Sequence, residues 1–371
     1  MTDWIRTLLD CRLRGQPAML ITVASVRGSA PREAGARMVV TAQRQQGTIG
    51  GGNLELQAAS IARDLLASSG PGGAGSVRRF PLGASLGQCC GGAVELMFEP
   101  VSPLPAETGW LDAAASAAAA DRPCVIVAVA GRASASGVVV VSDGALAGSL
   151  GSADRDAQAL ALAETALGGD GGVRLAAVTG TPEVWLVDPI RPPPATVVLF
   201  GAGHVGQALV RLLGECPFRV VWVDPRADQF PAKVPPSVRI AVEDDPVIEV
   251  DAAPPGSCFL VMTHSHALDE ALARRILLRP DVAWFGLIGS VTKRRRFEQR
   301  LAAQGVSAAR LAAMACPIGL PGIPGKSPGV VAVSVAAQLL QVVASLPACR
   351  LPGFVPGRRR VGQRGDDGGL R

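Results

Sequence analysis

The sequence predicts an α/β protein in two parts: a mixed, strand-rich amino-terminal α/β domain, then a Rossmann-like doubly wound parallel sheet. Three observations predict it. The pattern Gly201-Ala-Gly203-His-Val-Gly206 lies between an apolar strand and an apolar helix. Apolar runs after residue 195 recur with the rhythm of parallel strands and crossover helices. The stretch Ile190-Arg-Pro-Pro-Pro-Ala195 can continue neither a helix nor a central strand, and it stands just ahead of them. The chain divides accordingly into residues 1–189, a proline-rich linker at 190–195, a second domain at 196–346, and a basic tail at 347–371 expected to be disordered. At 371 residues, 48% of them hydrophobic, there is enough apolar material for two cores.

In the first domain, short apolar runs read as strands: Met19 to Val26, Met38 to Thr41, Val94 to Phe98, Val125 to Val129, Val138 to Val141 and Val184 to Val187. Glycine-rich turns and a few alanine-rich helices separate them, and no internal repeat is evident. In the second domain the strands are Thr196 to Phe200, Arg219 to Val223, Val238 to Val242, Cys258 to Met262 and Trp284 to Ile288.

The formal net charge of +5 is carried mostly by the tail, which holds six Arg against two Asp. The folded body is therefore near neutral, and without interleaved aromatics nucleic acid is not an expected partner. No apolar run approaches the ~18 residues of a membrane span, so no membrane partner is expected and the expected location is the cytoplasm. The eight Cys include the adjacent pair Cys89 and Cys90 but no CxxC, which argues against a disulfide framework or a zinc ribbon.

Within the glycine pattern each glycine has a physical task. Gly201 permits a tight turn, Gly203 leaves room for a phosphate at the backbone of the following helix, and Gly206 lets helix and strand pack closely. Asp224 ends the next strand, near where an acidic side chain accepts a ribose hydroxyl. A tight turn that binds nothing is the alternative. Two later loops also follow strands: Thr263-His264-Ser265-His266, where polar ligand contacts are preferred to a metal, and Gly289-Ser290-Val-Thr-Lys293, where Ser290 and Lys293 either grip phosphate or form part of a solvated helix face.

Three loops of the first domain are candidates. Arg27-Gly28-Ser29 begins a segment with three Arg beside a hydroxyl, suited to an anion or to nothing more than a hairpin. Gly50-Gly51-Gly52 opens a helix, where amides left uncovered would suit an oxyanion. Gln88-Cys89-Cys90 is flanked by glycines, and neighbouring side chains in extended chain face opposite ways, so both thiols cannot be core. Soft thiolates suit molybdenum, sulfur transfer or redox exchange.

Taken in order, VRGSAPREAGARM, GTIGGGNLE and LGQCCGG resemble the amino-domain motifs of the XdhC/CoxI family. GAGHVGQAL, VDPRADQFP, the His266 loop, GLIGSVTKRRRF and CPIGLPGIPGKSPGVVAVSVAAQLL resemble its Rossmann domain. The resemblance runs from about residue 10 to residue 345. It implies an accessory protein without catalysis of its own, which binds the molybdopterin form of the molybdenum cofactor. Such a protein protects the cofactor while a cysteine desulfurase supplies its terminal sulfur, and delivers it to a molybdenum hydroxylase. Gly325-Lys326-Ser327-Pro328-Gly329 resembles the xanthine dehydrogenase branch more than the carbon monoxide dehydrogenase branch, which makes xanthine dehydrogenase the favoured client. A homodimer is also among the assemblies considered. By carry-over, Cys89 and Cys90 fall on the family's Cys pair as tentative molybdenum ligands, and Gly50 to Gly52 on its glycine turn. Gln88, Arg27, Ser29, His204, His266, Ser290 and Lys293 complete the expected cofactor-binding set with Gly201, Gly203, Gly206 and Asp224. The alternative function is an NAD(P)-dependent oxidoreductase, which only Gly201 to Gly206 and Asp224 would favour.

Overall fold

A computed structural model describes residues 3–69, 75–83, 91–131, 137–169, 171–180, 182–193 and 195–346. The predicted α/β class holds, with a parallel five-stranded sheet in the carboxyl half. The strand-rich amino half contains two separate antiparallel sheets of five strands each.

The first run of elements is α1 (Asp3–Leu13), β1 (Ala18–Arg27), β2 (Arg37–Val40), β3 (Gln45–Gly47), α2 (Gly52–Ser69), β4 (Ser76–Pro81) and β5 (Ala93–Val101), with sheet order β3-β2-β1-β5-β4. The second is α3 (Gly109–Ala119), β6 (Cys124–Val129), β7 (Val138–Ser142), β8 (Ala145–Gly148), α4 (Ala153–Gly168), β9 (Arg174–Ala177) and β10 (Val184–Ile190), in the order β8-β7-β6-β10-β9. Element for element the two runs are the same. The expectation of no internal repeat is thus corrected at the level of topology. The repeat is hidden in the sequence because a buried strand accepts almost any apolar residue, leaving few identities to see.

Alternation along the strands explains how the sheets stack. Val94, Leu96 and Phe98 of β5 join Leu54, Ala58 and Ala62 of α2 in one core. Val125 and Val127 of β6 and Trp185 and Val187 of β10 join Ala159, Ala163 and Ala166 of α4 in another. The opposite faces meet each other through Ala24 and Met97 on one sheet and Ala128 and Leu186 on the other. Helices α1 and α3 close this interface, with Trp4, Leu8, Trp110 and Leu111 in a shared cluster. The alanine-rich segment around Ala113 to Ala120 is therefore a core helix with its apolar face inward.

The third sheet contains β11 (Ala195–Phe200), β12 (Phe218–Val223), β13 (Val238–Ala241), β14 (Cys258–Val261) and β15 (Trp284–Leu287), all parallel, in the order β13-β12-β11-β14-β15. Its helices are α5 (His204–Leu213), α6 (Val247–Ala252), α7 (His266–Leu278), α8 (Val291–Ala303), α9 (Ala308–Ala313) and α10 (Pro328–Ser345). The chain leaves β11 in one direction to build β12 and β13, and β14 and β15 lie on the other side. The carboxyl ends of β11 and β14 therefore flank the crevice at which open α/β sheets bind ligands.

One sequence reading is amended here. By length and apolar composition α10 could cross a membrane. In the fold, Ala332, Val335, Ala336, Leu339 and Val343 of this helix pack into the core shared with Leu209, Val210 and Leu213 of α5. Core packing accounts for its apolar face.

Candidate functional site

Two glycines of the Rossmann turn do the steric jobs expected of them, and the third stands open. Gly201 has φ +116°, and a Cβ on it would lie 2.4 Å from Met262 O. A Cβ on Gly206 would lie 2.2 Å from Gly201 O and 3.5 Å from Trp222 Nε1. Both positions are closed to any side chain. At Gly203 a Cβ would meet nothing within 4 Å, and Gly203 is the N-cap of α5 without a side-chain cap. Helices α7 and α8 differ, because Ser265 Oγ accepts from Leu268 N and Ser290 Oγ accepts from Lys293 N. Of these three helix starts, α5 is the one that presents its amides and positive dipole end uncapped to open space.

Asp224 corrects the sequence reading. Its carboxylate is 2% exposed and accepts hydrogen bonds from within the protein: Ala202 N at 2.8 Å, Arg226 N at 3.0 Å, and Arg226 Nε and Nη2 at 2.9 Å each. Burial pushes this carboxyl up, but the Arg226 guanidinium and the two amides outweigh burial and hold it below its usual range. Asp224 is thus a clamp that fixes the glycine turn, and no acceptor is left over for a ribose or pterin donor. The Arg226 guanidinium is committed to the same clamp.

Lys293 and Ser290 are corrected for a related reason. Lys293 Nζ donates to Asp269 Oδ2 at 2.5 Å and to Ile288 O at 3.0 Å, and Ser290 is spent on the cap. Asp269, 1% exposed, also accepts from Thr263 N and Thr263 Oγ1. The two loops are therefore tied together by an internal ion pair rather than held ready for phosphate. His264 is exposed and lines the crevice beside Gly201, Asp224 and Thr263. His204 and His266 are exposed at the first positions of α5 and α7. No group of three His, Cys, Asp or Glu that could hold a metal occurs among the described residues.

In the amino half, loops far apart in sequence come together at one end of the first sheet. Gly92 N donates to Ser29 O, and a Cβ on Gly92 would lie 2.5 Å from Arg27 O. A Cβ on Gly50 would lie 2.4 Å from Pro31 Cγ. The Arg27–Arg37 loop is thus packed against both the glycine turn and the segment that follows the thiols, with Arg27 and Ser29 exposed. Gln88, Cys89 and Cys90 lie outside the described residues; the chain resumes at Gly91, next to this cluster.

The glycine turn itself differs from expectation. Ile49 N and Gly51 N donate to Glu55 Oε1 at 3.0 and 2.8 Å, Thr48 Oγ1 donates to the same carboxylate, and Gly50 N donates to Thr48 Oγ1. Of the glycine amides assigned to an outside oxyanion, Gly51 N is taken by the Glu55 carboxylate and Gly50 N by the Thr48 hydroxyl. Burial raises the Glu55 carboxyl, while the Thr48 hydroxyl and the turn amides lower it further, leaving it below its usual range. Glu55 was the residue to notice: an acid in the first turn of a helix often reaches back to the amides ahead of it.

Residues 197–339 match the family described as XdhC Rossmann domain, and residues 11–81 match the XdhC and CoxI family. A curated protein of Escherichia coli (strain K12), Uncharacterized protein YqeB, is 30% identical over 154 residues. That match takes in 41% of this chain and 28% of the relative, so the shared segment spans less than a third of the relative's length. A solved structure from Bacillus halodurans, described as a xanthine dehydrogenase, is 22% identical with a TM-score of 0.70, covering 94% of this chain and 98% of that one. The likeness shows a common fold over nearly the whole length of both.

Proposed function

The chain belongs to the XdhC and CoxI family, and from that premise we propose that it is a cytoplasmic accessory protein that holds the molybdopterin form of the molybdenum cofactor and passes it to xanthine dehydrogenase or a related molybdenum hydroxylase. The observation that carries the reading is the convergence of Arg27–Arg37, Gly47–Glu55 and Gly91–Gly92 on one end of one sheet. Packing alone does not require three glycine-rich segments, one of them bearing Arg27, Arg32 and Arg37, to meet at one end of a sheet.

The residues present fit the phosphate end of such a cofactor at α5. Gly203 leaves the space open, and the uncapped amides of the first turn supply donors aligned with the helix dipole. Asp224 and Arg226 hold the turn in shape, as the Ala202 N contact shows. Arg27 and Ser29 supply exposed charge and a hydroxyl at the amino-half cluster, where Cys89 and Cys90 would face the metal end. When bound, the cofactor supplies the molybdenum–sulfur centre; the protein's share is to bind, orient and release. A cysteine desulfurase is the expected sulfur source. No catalytic turnover by this chain is part of the proposal.

The oxidoreductase alternative loses its ribose acceptor, because the Asp224 carboxylate is occupied by Arg226, and rests on the glycine turn alone. The deciding experiment is equilibrium binding of molybdopterin and of NAD(H) to the purified chain. Stoichiometric molybdopterin with no saturable NAD(H) binding is expected. The reverse, or steady NAD reduction with a hydroxylated substrate, would overturn the proposal.

A further inference from the structure

We infer that the amino half is an internal duplication whose two copies face each other about a pseudo-two-fold axis, locked by one surviving Arg–carboxylate pair, Arg37–Asp188, with the equivalent place emptied by Val138 so that Glu99 is left as a carboxylate without its arginine.

Shared topology is the first support, and the glycine turns are the second. Gly47, Thr48, Ile49, Gly50 and Glu55 correspond at one constant spacing to Gly148, Ser149, Leu150, Gly151 and Asp156. The hydrogen bonds correspond as well. Ser149 Oγ and Leu150 N donate to the Asp156 carboxylate, and Gly151 N donates to Ser149 Oγ, as Thr48, Ile49 and Gly50 do in the first copy. A Cβ on Gly47 would lie 2.5 Å from Arg37 O, and one on Gly148 would lie 2.6 Å from Val138 O. Position 37 is therefore the counterpart of position 138.

The strand registers give the other equivalence. Leu20 of β1 lies opposite Glu99 of β5, with Met19 opposite Pro100. Ile126 of β6 lies opposite Asp188 of β10, with Val125 opposite Pro189. Thr22 is opposite Arg37 on β2, and Ala128 is opposite Val138 on β7. Phe98-Glu99-Pro100-Val101 thus matches Val187-Asp188-Pro189-Ile190, a resemblance that only the pairing makes visible.

Across the interface Arg37 of the first copy pairs with Asp188 of the second, their side chains 9% and 3% exposed. The symmetric pair would join position 138 to Glu99. Val138 stands there, and it lines with Glu99, Leu20, Met97, Val101 and Trp110 a cavity of about 20 Å³, room for one water. The charged groups around Glu99 are Arg37, whose field reaches it from β2, with its partner Asp188 on β10. Arg12 of α1 and Asp112 of α3 pair beyond Thr108 at the cavity wall. The named apolar walls carry no charge. Burial pushes the Glu99 carboxyl up to about 7, with Arg37 opposing. Raised from 4.5, the group binds a proton in the folded state that the unfolded chain has released, so its contribution to stability is present at pH 4 and is lost as pH rises through 7.

The test is the melting temperature of the whole chain from pH 5 to 8.5, for the wild type, Glu99→Gln and Val138→Arg. The three His of the chain are all exposed in the carboxyl half, at the starts of α5 and α7 and in the loop before α7, so the amino-half variants leave them unchanged. The wild type is expected to lose several degrees across this range. Glu99→Gln should remove most of that fall, and Val138→Arg should remove it too by giving Glu99 a guanidinium. A full fall retained in Glu99→Gln overturns the assignment to this carboxylate. If Glu99→Gln folds while Val138→Arg either keeps the fall or does not fold, position 138 is not the counterpart of Arg37 and the lost-pair account is wrong.

Discussion

Gly203→Val separates binding from folding at one residue. The backbone there has φ −70° and ψ −178°, a conformation open to any residue, and a Cβ meets nothing within 4 Å. The cost to stability should be at most about 1 kcal/mol, from placing an aliphatic side chain at an N-cap. Its branched side chain would fill the space in front of the α5 amides, however. Losing charge-assisted hydrogen bonds of that kind costs about 1.5–3 kcal/mol, or roughly a 10- to 150-fold rise in Kd. Gly206→Val is the internal contrast. Its Cβ would collide with Gly201 O at 2.2 Å, so the backbone must shift, and overpacking of this kind costs about 1–3 kcal/mol or more before any ligand is considered. Melting temperature and molybdopterin binding by equilibrium dialysis would be measured on both variants. A Gly203→Val protein that melts like the wild type and binds like the wild type refutes the placement of phosphate at α5. The ligand would then lie wholly in the amino half.

Glu55→Gln and Asp156→Asn should each lower stability by about 1–3 kcal/mol, since each turn loses its charged acceptor; cofactor retention should fall with Glu55→Gln alone, and equal loss of retention in both would show that the second turn also serves binding. Asp224→Asn should cost on the order of 2 kcal/mol at neutral pH by releasing Arg226 and Ala202 N. Because the folded Asp224 carboxyl is held below its unfolded value of 3.8, that stabilisation is present above pH 3.8 and disappears as pH falls through the folded value, so denaturant titrations of wild type and variant should converge in acid. Replacing both Cys89→Ser and Cys90→Ser should leave the fold intact and abolish molybdenum retention, measured as metal per folded chain; retention at the wild-type level removes the thiols from the site.

The third sheet was legible in the sequence because its signals are local. A buried parallel strand is a short continuous apolar run, and the turn after β11 needs glycine at three fixed places for three steric reasons, so Thr196 to Phe200 and Gly201 to Gly206 could be located without knowing their neighbours. The weakly apolar strands β3, β4, β8 and β9 carry no such signal. Gln45–Gly47 is fully exposed and is a strand only because β2 offers it a ladder.

The candidate residues divide along the same line. That Gly203 must stay open follows from the turn itself, but whether Asp224 and Lys293 are free for a ligand depends on what folds against them. Arg226 wraps back two residues to take Asp224, and Asp269, from the helix after a different strand, takes Lys293. The duplication is the furthest from local. Glu99 and Asp188 become equivalents only through their pairing with β1 and β6, and the Arg37–Asp188 pair forms only when the two sheets are face to face. Sequence fixes which groups a chain carries; with long-range contacts, tertiary structure decides which of those groups are already spent on one another.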